Sequence, residues 1–345
     1  MKESVAVTVI CACYNQAGYV RDALDGFIAQ KTAFPFEVIV HDDASTDGTG
    51  EIVREYAERY PDVIVPVIQK ENQDSQGIDI YKNHILPLVR GRYIARCEGD
   101  DYWIDEYKLQ KQFDFLESHP DYAMVAHNAY VIDYAADIVF TSEPADADKD
   151  KTMQDIIREG GGLLNPTASL FHRVDLRGID WRSFNAPIGD HFLMMSLTSQ
   201  GKFHWMANPM SVYRYGSIGS FTSGTRTEDI ESIENYTRRY VSALRAMDKA
   251  TEGKYHDCFL GREAIQEKEA ANRILISKFE NGGSFGLLKN CSAKICLKAL
   301  SARMLSDKGY ARIRRAFFIL KKRRVGTYVS GKAVDRAPLQ IESVR

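Results

Sequence analysis

No Gly-x-Gly-x-x-Gly run and no Gly-x-x-x-x-Gly-Lys-Ser/Thr run occurs anywhere in this sequence. That absence argues against dinucleotide-dependent dehydrogenases and P-loop phosphotransferases, whose phosphate sites need those glycines. The six cysteines, Cys11, Cys13, Cys97, Cys258, Cys291 and Cys296, include no C-x-x-C pair matched by a second pair or by a histidine pair. A structural zinc site is therefore not expected. Cys11 and Cys97 sit in apolar runs, where a free thiol acts as a small hydrophobe, and the chain reads as reduced and cytosolic. No apolar run approaches the ~18 residues of a membrane span. Met1–Ser4 leads straight into a strand pattern without a secretory leader. Solenoid-period repeats and low-complexity tracts are also missing. What remains has the composition of an ordinary globular protein, with 44% hydrophobic and 27% charged residues.

The formal net charge of −2 conceals an asymmetry. Between Ser284 and Val325 stand 12 basic residues and one acid, Asp307, so this stretch carries +11 and the remainder −13. A basic stretch on an acidic body suggests a negatively charged partner, such as an anionic lipid surface. The plain alternative is a solvated basic helix pair that packs on the body or on a second copy. Nothing in the pattern suggests nucleic acid.

Strand-length apolar runs alternate with helix-period segments. Strands are expected at about 5–13, 36–41, 63–69, 93–97 and 122–132. Helices are expected at about 19–30, 47–60, 78–89 and 108–118, with Asp47 as an N-cap. Residues 134–151 read as a mobile surface excursion, 217–227 as a Gly/Ser/Thr-rich loop, and 228–279 as helical. The alternation predicts an α/β fold, a doubly wound and mostly parallel sheet flanked by helices, with a helical C-terminal extension. In such sheets ligands bind beyond the carboxyl ends of the strands. Polar clusters stand at three of those ends: Tyr14-Asn15, Asp42-Asp43 and Glu98-Gly99-Asp100-Asp101.

The last cluster carries the most chemistry. Glu98 and Asp100 are two residues apart, so an extended backbone points both the same way. Crowded carboxylates repel, and a hard divalent cation relieves the repulsion, with Mg²⁺ or Mn²⁺ suited to carboxylate and phosphate oxygens. The plain alternative is a solvated acidic turn. Asp42 and Asp43 are either turn formers or acceptors for a base N–H. His41, His84, His127, His172 and His204 lie in or beside apolar segments and read as structural. Trp103, Tyr130 and Trp181 are packing residues or sugar-stacking platforms.

With these residues in place, the chain resembles the inverting glycosyltransferases of family 2, which have the GT-A fold. Val9-Ile10-Cys11-Ala12-Cys13-Tyr14-Asn15 is similar to the family's first strand and loop. His41-Asp42-Asp43-Ala44-Ser45-Thr46-Asp47-Gly48-Thr49 resembles its V-D-D-G-S-T-D-G-T signature. Tyr93–Trp103 resembles its D-x-D-D strand end, Pro166–Arg173 the strand before the acceptor site, and Gly189–Leu193 the helix start with the catalytic base. The resemblance covers about residues 5–215. It implies that Ala12 and Tyr14 line the base pocket and that Asp43 accepts from a uracil N–H. It implies that Asp100 is the main ligand of a Mn²⁺ or Mg²⁺ ion, with Glu98 and Asp101 beside it, and that Asp190 is the general base. Gly189 would allow a close approach at that helix start, and His191 is the rival base. Two departures stand out: Ala12 replaces the family's usual Pro or Thr, and Gly216 replaces a His two residues after Arg214, for which Arg214 or the 217–227 loop could compensate.

The expected organisation is a GT-A domain over 1–227, a basic helical region over 228–330 and a poorly ordered tail over 331–345. The expected substrates are a nucleotide diphosphate sugar, with UDP favoured through Asp43, and a glycan or lipid-linked acceptor. The expected location is the cytoplasm, peripherally at the inner membrane face, with oligomerisation open. A sugar-1-phosphate nucleotidyltransferase and a non-catalytic nucleotide-sugar-binding protein are the competing readings. The first is disfavoured because Tyr14–Gly18 lacks a Gly-rich basic loop, the second because Asp43, Asp100 and Asp190 are all present.

Overall fold

The computed structural model describes residues 4–133, 138–143, 147–160, 167–173, 179–217, 229–280, 292, 295–296, 299–300 and 325–327. The N-terminal half alternates as the periodicity predicts: β1 (Val7–Cys13), α1 (Val20–Ile28), β2 (Phe36–Asp42), α2 (Thr49–Arg59), β3 (Ile64–Ile68), β4 (Tyr93–Arg96), a short β5 (Tyr102–Trp103), α3 (Lys108–Ser118) and β6 (Tyr122–Asp133). Then come β7 (Ile138–Thr141), β8 (Lys149–Lys151), α4 (Met153–Glu159), β9 (Phe171–Arg173), α5 (Gly189–Thr198) and β10 (Lys202–Tyr215). Two long helices, α6 (Ile230–Ala250) and α7 (His256–Glu280), and a strand β11 (Val325–Thr327) complete the described residues.

One sheet of 11 strands runs in the order β11-β7-β6-β9-β4-β1-β2-β3, with β10 beside β6 and carrying β5 and β8. β3, β2, β1 and β4 are parallel neighbours, β9 enters antiparallel between β4 and β6, and β10 runs parallel to β6. The fold is therefore mixed α/β with a parallel centre. The two sheet faces divide the labour. Val7, Val9, Cys11 and Cys13, with Val38, Val40, Ala95 and Cys97, pack against α1, α2 and α3. On the other face Ile10, Ile39 and Ile94 pack under Ile85, Tyr81 and Leu86. Because side chains alternate along a strand, Ala12, His41, Asp43, Arg96 and Glu98 continue that second face towards the strands' carboxyl ends. The registers Ile10↔Ile39, Ala12↔His41 and Ile10↔Arg96 set them side by side.

Several local expectations are revised. Over 78–89 the chain forms a wide π turn (Tyr81–Ile85) and a 3₁₀ turn (Leu86–Leu88) instead of a regular helix. Pro87 has no amide hydrogen to donate to a helical ladder. The expected mobile excursion at 134–151 contains β7 and β8, with Val139 and Phe140 buried. α2 begins at Thr49 with Gly48 at the cap (φ 100°), but Asp47 still holds the start, accepting from the Thr49 amide at 3.0 Å and its hydroxyl at 2.6 Å. The helical stretch after 228 is a hairpin, broken between α6 and α7 where Glu252 and Gly253 take positive φ. Most of the +11 stretch, the 331–345 tail, the 218–228 loop, Pro166 and Cys291 lie outside the described residues. Among those described, no helix is long and apolar enough to cross a membrane.

Candidate active site

Three loops at the carboxyl ends of β1, β2 and β4 are stitched together by the motif residues. The Asn15 amide donates to Ser45 Oγ (2.8 Å), Gln16 to Thr49 Oγ1 (2.8 Å) and Ala17 to Asp47 Oδ2 (2.9 Å), while Asn15 Oδ1 accepts from Thr46 (2.9 Å). Asn15 and Ala44 hold left-handed φ of 51° and 62° to make this join; such non-glycine geometry persists only where the surroundings enforce it. Asp42 is buried and bonded to Ser45, under α2. Most of the Asp42–Thr49 signature thus builds the loop. Asp43 is the exception. It turns to the other face, where Oδ1 accepts from the Gln73 amide (2.8 Å) and Oδ2 from the Asp74 amide (3.0 Å). Its position is therefore fixed by a further loop, 72–76, that the sequence reading did not single out. The Asn72-Gln73-Asp74-Ser75-Gln76-Gly77 run was the available turn signal.

Gly99 lets the β4 loop close on the β1 loop. Its amide donates to the Ala12 carbonyl at 3.0 Å, and a Cβ there would lie 2.6 Å from Gln16 Oε1 and 2.7 Å from Cys13 Cβ. Ala12 is half-buried and Tyr14 is exposed at the rim. Glu98 is half-buried on the site face. Burial, then the Asp100 and Asp190 carboxylates, raise it to about 8, and Arg96 opposes this. Asp190, on α5, is thereby brought within electrostatic reach of Glu98, although 92 residues separate them in sequence.

Asp100 is buried, and burial raises its carboxyl despite a hydrogen bond from Ser217 Oγ to Oδ2 (2.8 Å). Its backbone carbonyl accepts from Arg214 Nη1 (2.8 Å), and the same guanidinium pairs with Asp22 on α1. Asp101 goes elsewhere. It is 1% exposed, and its Oδ1 accepts from the Arg214 amide at 2.9 Å, facing β10. Consequently Glu98, Asp100 and Asp101 do not gather about one point. Among the described residues, no three His, Cys, Asp or Glu side chains are arranged to hold a metal ion together. Asp100 is nonetheless near enough to Glu98 to help raise its carboxyl, and the two offer oxygen donors only. That pair fits a hard cation that takes one or two carboxylates and completes its shell with phosphate oxygens and water.

Asp190 lies in the first turn of α5, where its Oδ1 accepts from the His191 amide (2.6 Å). His191, the rival base, faces the core. It is fully buried, its Nε2 donates to the Ile156 carbonyl (2.9 Å), and its Nδ1 accepts from Tyr240 Oη (2.7 Å). Burial lowers it to about 4, so it is a neutral structural imidazole. Arg96 lies over the Tyr81 ring (5.0 Å) and donates from Nε to His172 Nε2 (3.4 Å). His172 is fixed by Nδ1 donating to the Arg173 carbonyl (2.9 Å). His41 is buried, bonded to Gln69 (3.2 Å) and stacked on His84, and His127 is likewise buried against the Asn128 carbonyl. These histidines serve the scaffold. Arg182, which ion-pairs with Asp79 at 3.2 Å across the site face, had no sequence signal beyond its charge.

Asp43, Glu98 and Asp100 thus stand at the carboxyl ends of β2 and β4, with Asp190 at the start of α5 within electrostatic reach of Glu98. Residues 8–177, just under half of the chain, match the family described as Glycosyl transferase family 2, and that segment is a family 2 glycosyltransferase domain. The uncharacterized protein Rv1520 of Mycobacterium tuberculosis is 46% identical over 126 residues, 36% of this chain and 36% of that protein. The glucosyltransferase WfaP of Escherichia coli is 28% identical over 138 residues, 40% of this chain and 52% of its own length. The chain thus spans a third to a half of the length of these curated relatives. The crystal structure of S. aureus TarS residues 1–349 superposes with a TM-score of 0.53 at 15% identity, covering 95% of this chain and 98% of that one. That likeness establishes the GT-A fold.

Proposed function

We propose that this protein transfers a sugar from a nucleotide diphosphate, with UDP favoured, to an acceptor hydroxyl in the synthesis of a bacterial surface glycan, inverting the anomeric centre. The carrying observation is the placement of the amide-fixed Asp43 carboxylate and of Glu98 and Asp100 beyond the ends of β2 and β4, on either side of β1, with Asp190 near enough to Glu98 to help raise its carboxyl. WfaP is named for moving glucose from UDP-glucose to a lipid diphosphate-linked sugar, which supports a UDP donor and a lipid-linked acceptor here.

In this reading Ala12 and Tyr14 frame the base and Asp43 accepts its N–H. Asp100, with Glu98, would hold a Mn²⁺ or Mg²⁺ ion, which would supply positive charge to offset that of the departing diphosphate. Asp190 takes the acceptor hydroxyl's proton as that oxygen bonds to the anomeric carbon and the carbon–phosphate oxygen bond breaks. Helix α5 orients Asp190 through the His191 amide, and Gly99 keeps the β1 and β4 loops in contact. The +11 stretch would meet an anionic leaflet beside a lipid-linked acceptor. The test is calorimetric titration of UDP, with and without Mn²⁺, into wild type, Asp100→Ala and Asp190→Asn. The expected result is Mn²⁺-dependent binding, abolished by Asp100→Ala and retained by Asp190→Asn. Metal-independent binding overturns the cation's role, and no binding under either condition overturns the donor assignment.

A further inference from the structure

Of the three tryptophans, Trp103 and Trp205 are sealed in the core, at 4% and 0% exposure, whereas Trp181 is half-buried. Trp103 donates its indole N–H to the Ala168 carbonyl (3.0 Å), as a packed tryptophan does. Trp181 opens the 3₁₀ turn Trp181–Phe184, which ends at Asn185 in left-handed geometry (φ 52°). That reversal folds the indole back onto the start of α5. A Cβ on Gly189 would meet the ring's Cη2 at 3.1 Å and Cζ3 at 3.4 Å. The glycine before Asp190 therefore leaves room for an indole lying against the start of α5, one residue from the candidate base. The Arg182 guanidinium sits 4.5 Å from the ring centroid and pairs with Asp79 at 3.2 Å, tying the ring to the 78–89 wall of the site.

A half-exposed indole braced on two sides, next to the group that must reach an acceptor hydroxyl, suits the apolar C–H face of a pyranose. We propose that Trp181 is the platform for the acceptor sugar and that Gly189 and Arg182 position it. This rests on the reading of Asp190 as the base and adds the chemical class of the acceptor's contact: a pyranose ring stacked on an aromatic face.

The protein carries its own probe, since among its tryptophans only Trp181 is open to an aqueous quencher. Iodide quenching is measured on wild type with UDP and Mn²⁺ while methyl β-D-glucopyranoside, methyl β-D-galactopyranoside and methyl N-acetyl-β-D-glucosaminide are titrated in. At least one glycoside is expected to protect Trp181. Gly189→Ala, which displaces the ring by a few tenths of an ångström, is expected to weaken that protection about tenfold, the scale of one aromatic contact. Trp181→Phe should keep wild-type UDP affinity and most acceptor affinity, while Trp181→Ala raises acceptor KM with little change in kcat. Failure of all three glycosides to change the quenching of UDP-loaded protein overturns the platform and leaves the donor reading intact. Protection by a glycoside in protein that binds no UDP upholds the platform and overturns the donor reading.

Discussion

Tyr240 Oη lies 2.7 Å from His191 Nδ1, joining helix α6 to the residue that follows the candidate base. The Ile156 carbonyl at Nε2 can only accept, so His191 is the Nε2–H tautomer and Tyr240 is the donor. The helical hairpin thus orients the start of α5. Tyr240→Phe keeps the ring and removes one buried bond, at a cost of about 1–2 kcal/mol in stability. It should lower sugar transfer several-fold while leaving UDP affinity unchanged, because Asp190 moves and Asp43 does not. Parallel measurement of turnover and UDP titration checks this, and equal loss of both would contradict it.

His191 also sets an acid limit. Burial holds it at about 4, and His172 at about 3, against an ordinary value of 6.5. The unfolded chain then binds more protons than the folded one between pH 4 and 6.5, so stability rises with pH across that window and is lost as pH falls through it. His191 alone accounts for roughly 3 kcal/mol across that window. Urea midpoints at pH 4.5, 5.5 and 6.5 should fall with acid, and less steeply in His191→Gln.

Much of this site is legible in the primary structure, for a physical reason. Asp43, Glu98 and Asp100 terminate apolar runs, and a strand's carboxyl end is where a parallel sheet exposes ligands. The alternation rule even places Glu98 and Ala12 on one face. What was not legible depends on non-local pairing. Whether Asp101 turns to the cation or to β10 is decided by Arg214, 113 residues away. His191 and Asp190 are adjacent, and only Tyr240 and Ile156 show which one the core claims. Pro87 marks a break in the amino-acid sequence, yet the π turn before it has no such mark; its Ile85 packs with Ile10 and Ile94 from distant strands.

Lys108 is a buried cation at the start of α3, with Nζ 3.9 Å from the Trp103 ring centroid and bonded to Gln112 (2.8 Å). Burial depresses it to about 7 from 10.5. Here too the unfolded state binds more protons, now between pH 7 and 10.5, so the lysine's cost grows as pH falls through that range and is full below it. Lys108→Met should therefore stabilise the protein, with a gain of a few kcal/mol at pH 6.5 that shrinks by pH 9. Melting curves at the two pH values check this. A gain that is independent of pH would mean the lysine is already neutral.

The basic stretch calls for charge reversal, not truncation. β11 pairs with β7 at the sheet edge, Val325 opposite Phe140, so cutting the chain near Gly282 would also strip a strand from the fold. Reversing Lys321, Lys322, Arg323 and Arg324 to Glu stops just short of that strand. Near an anionic surface each basic residue contributes about 1 kcal/mol, so four reversals should lower partitioning onto phosphatidylglycerol vesicles by more than a hundredfold. Thermal stability and UDP affinity should stay unchanged. Cosedimentation at low and at 0.5 M salt checks this. Equal sedimentation of wild type and the reversed variant would direct attention to a second copy of the chain, which sedimentation velocity would then reveal as a charge-dependent dimer.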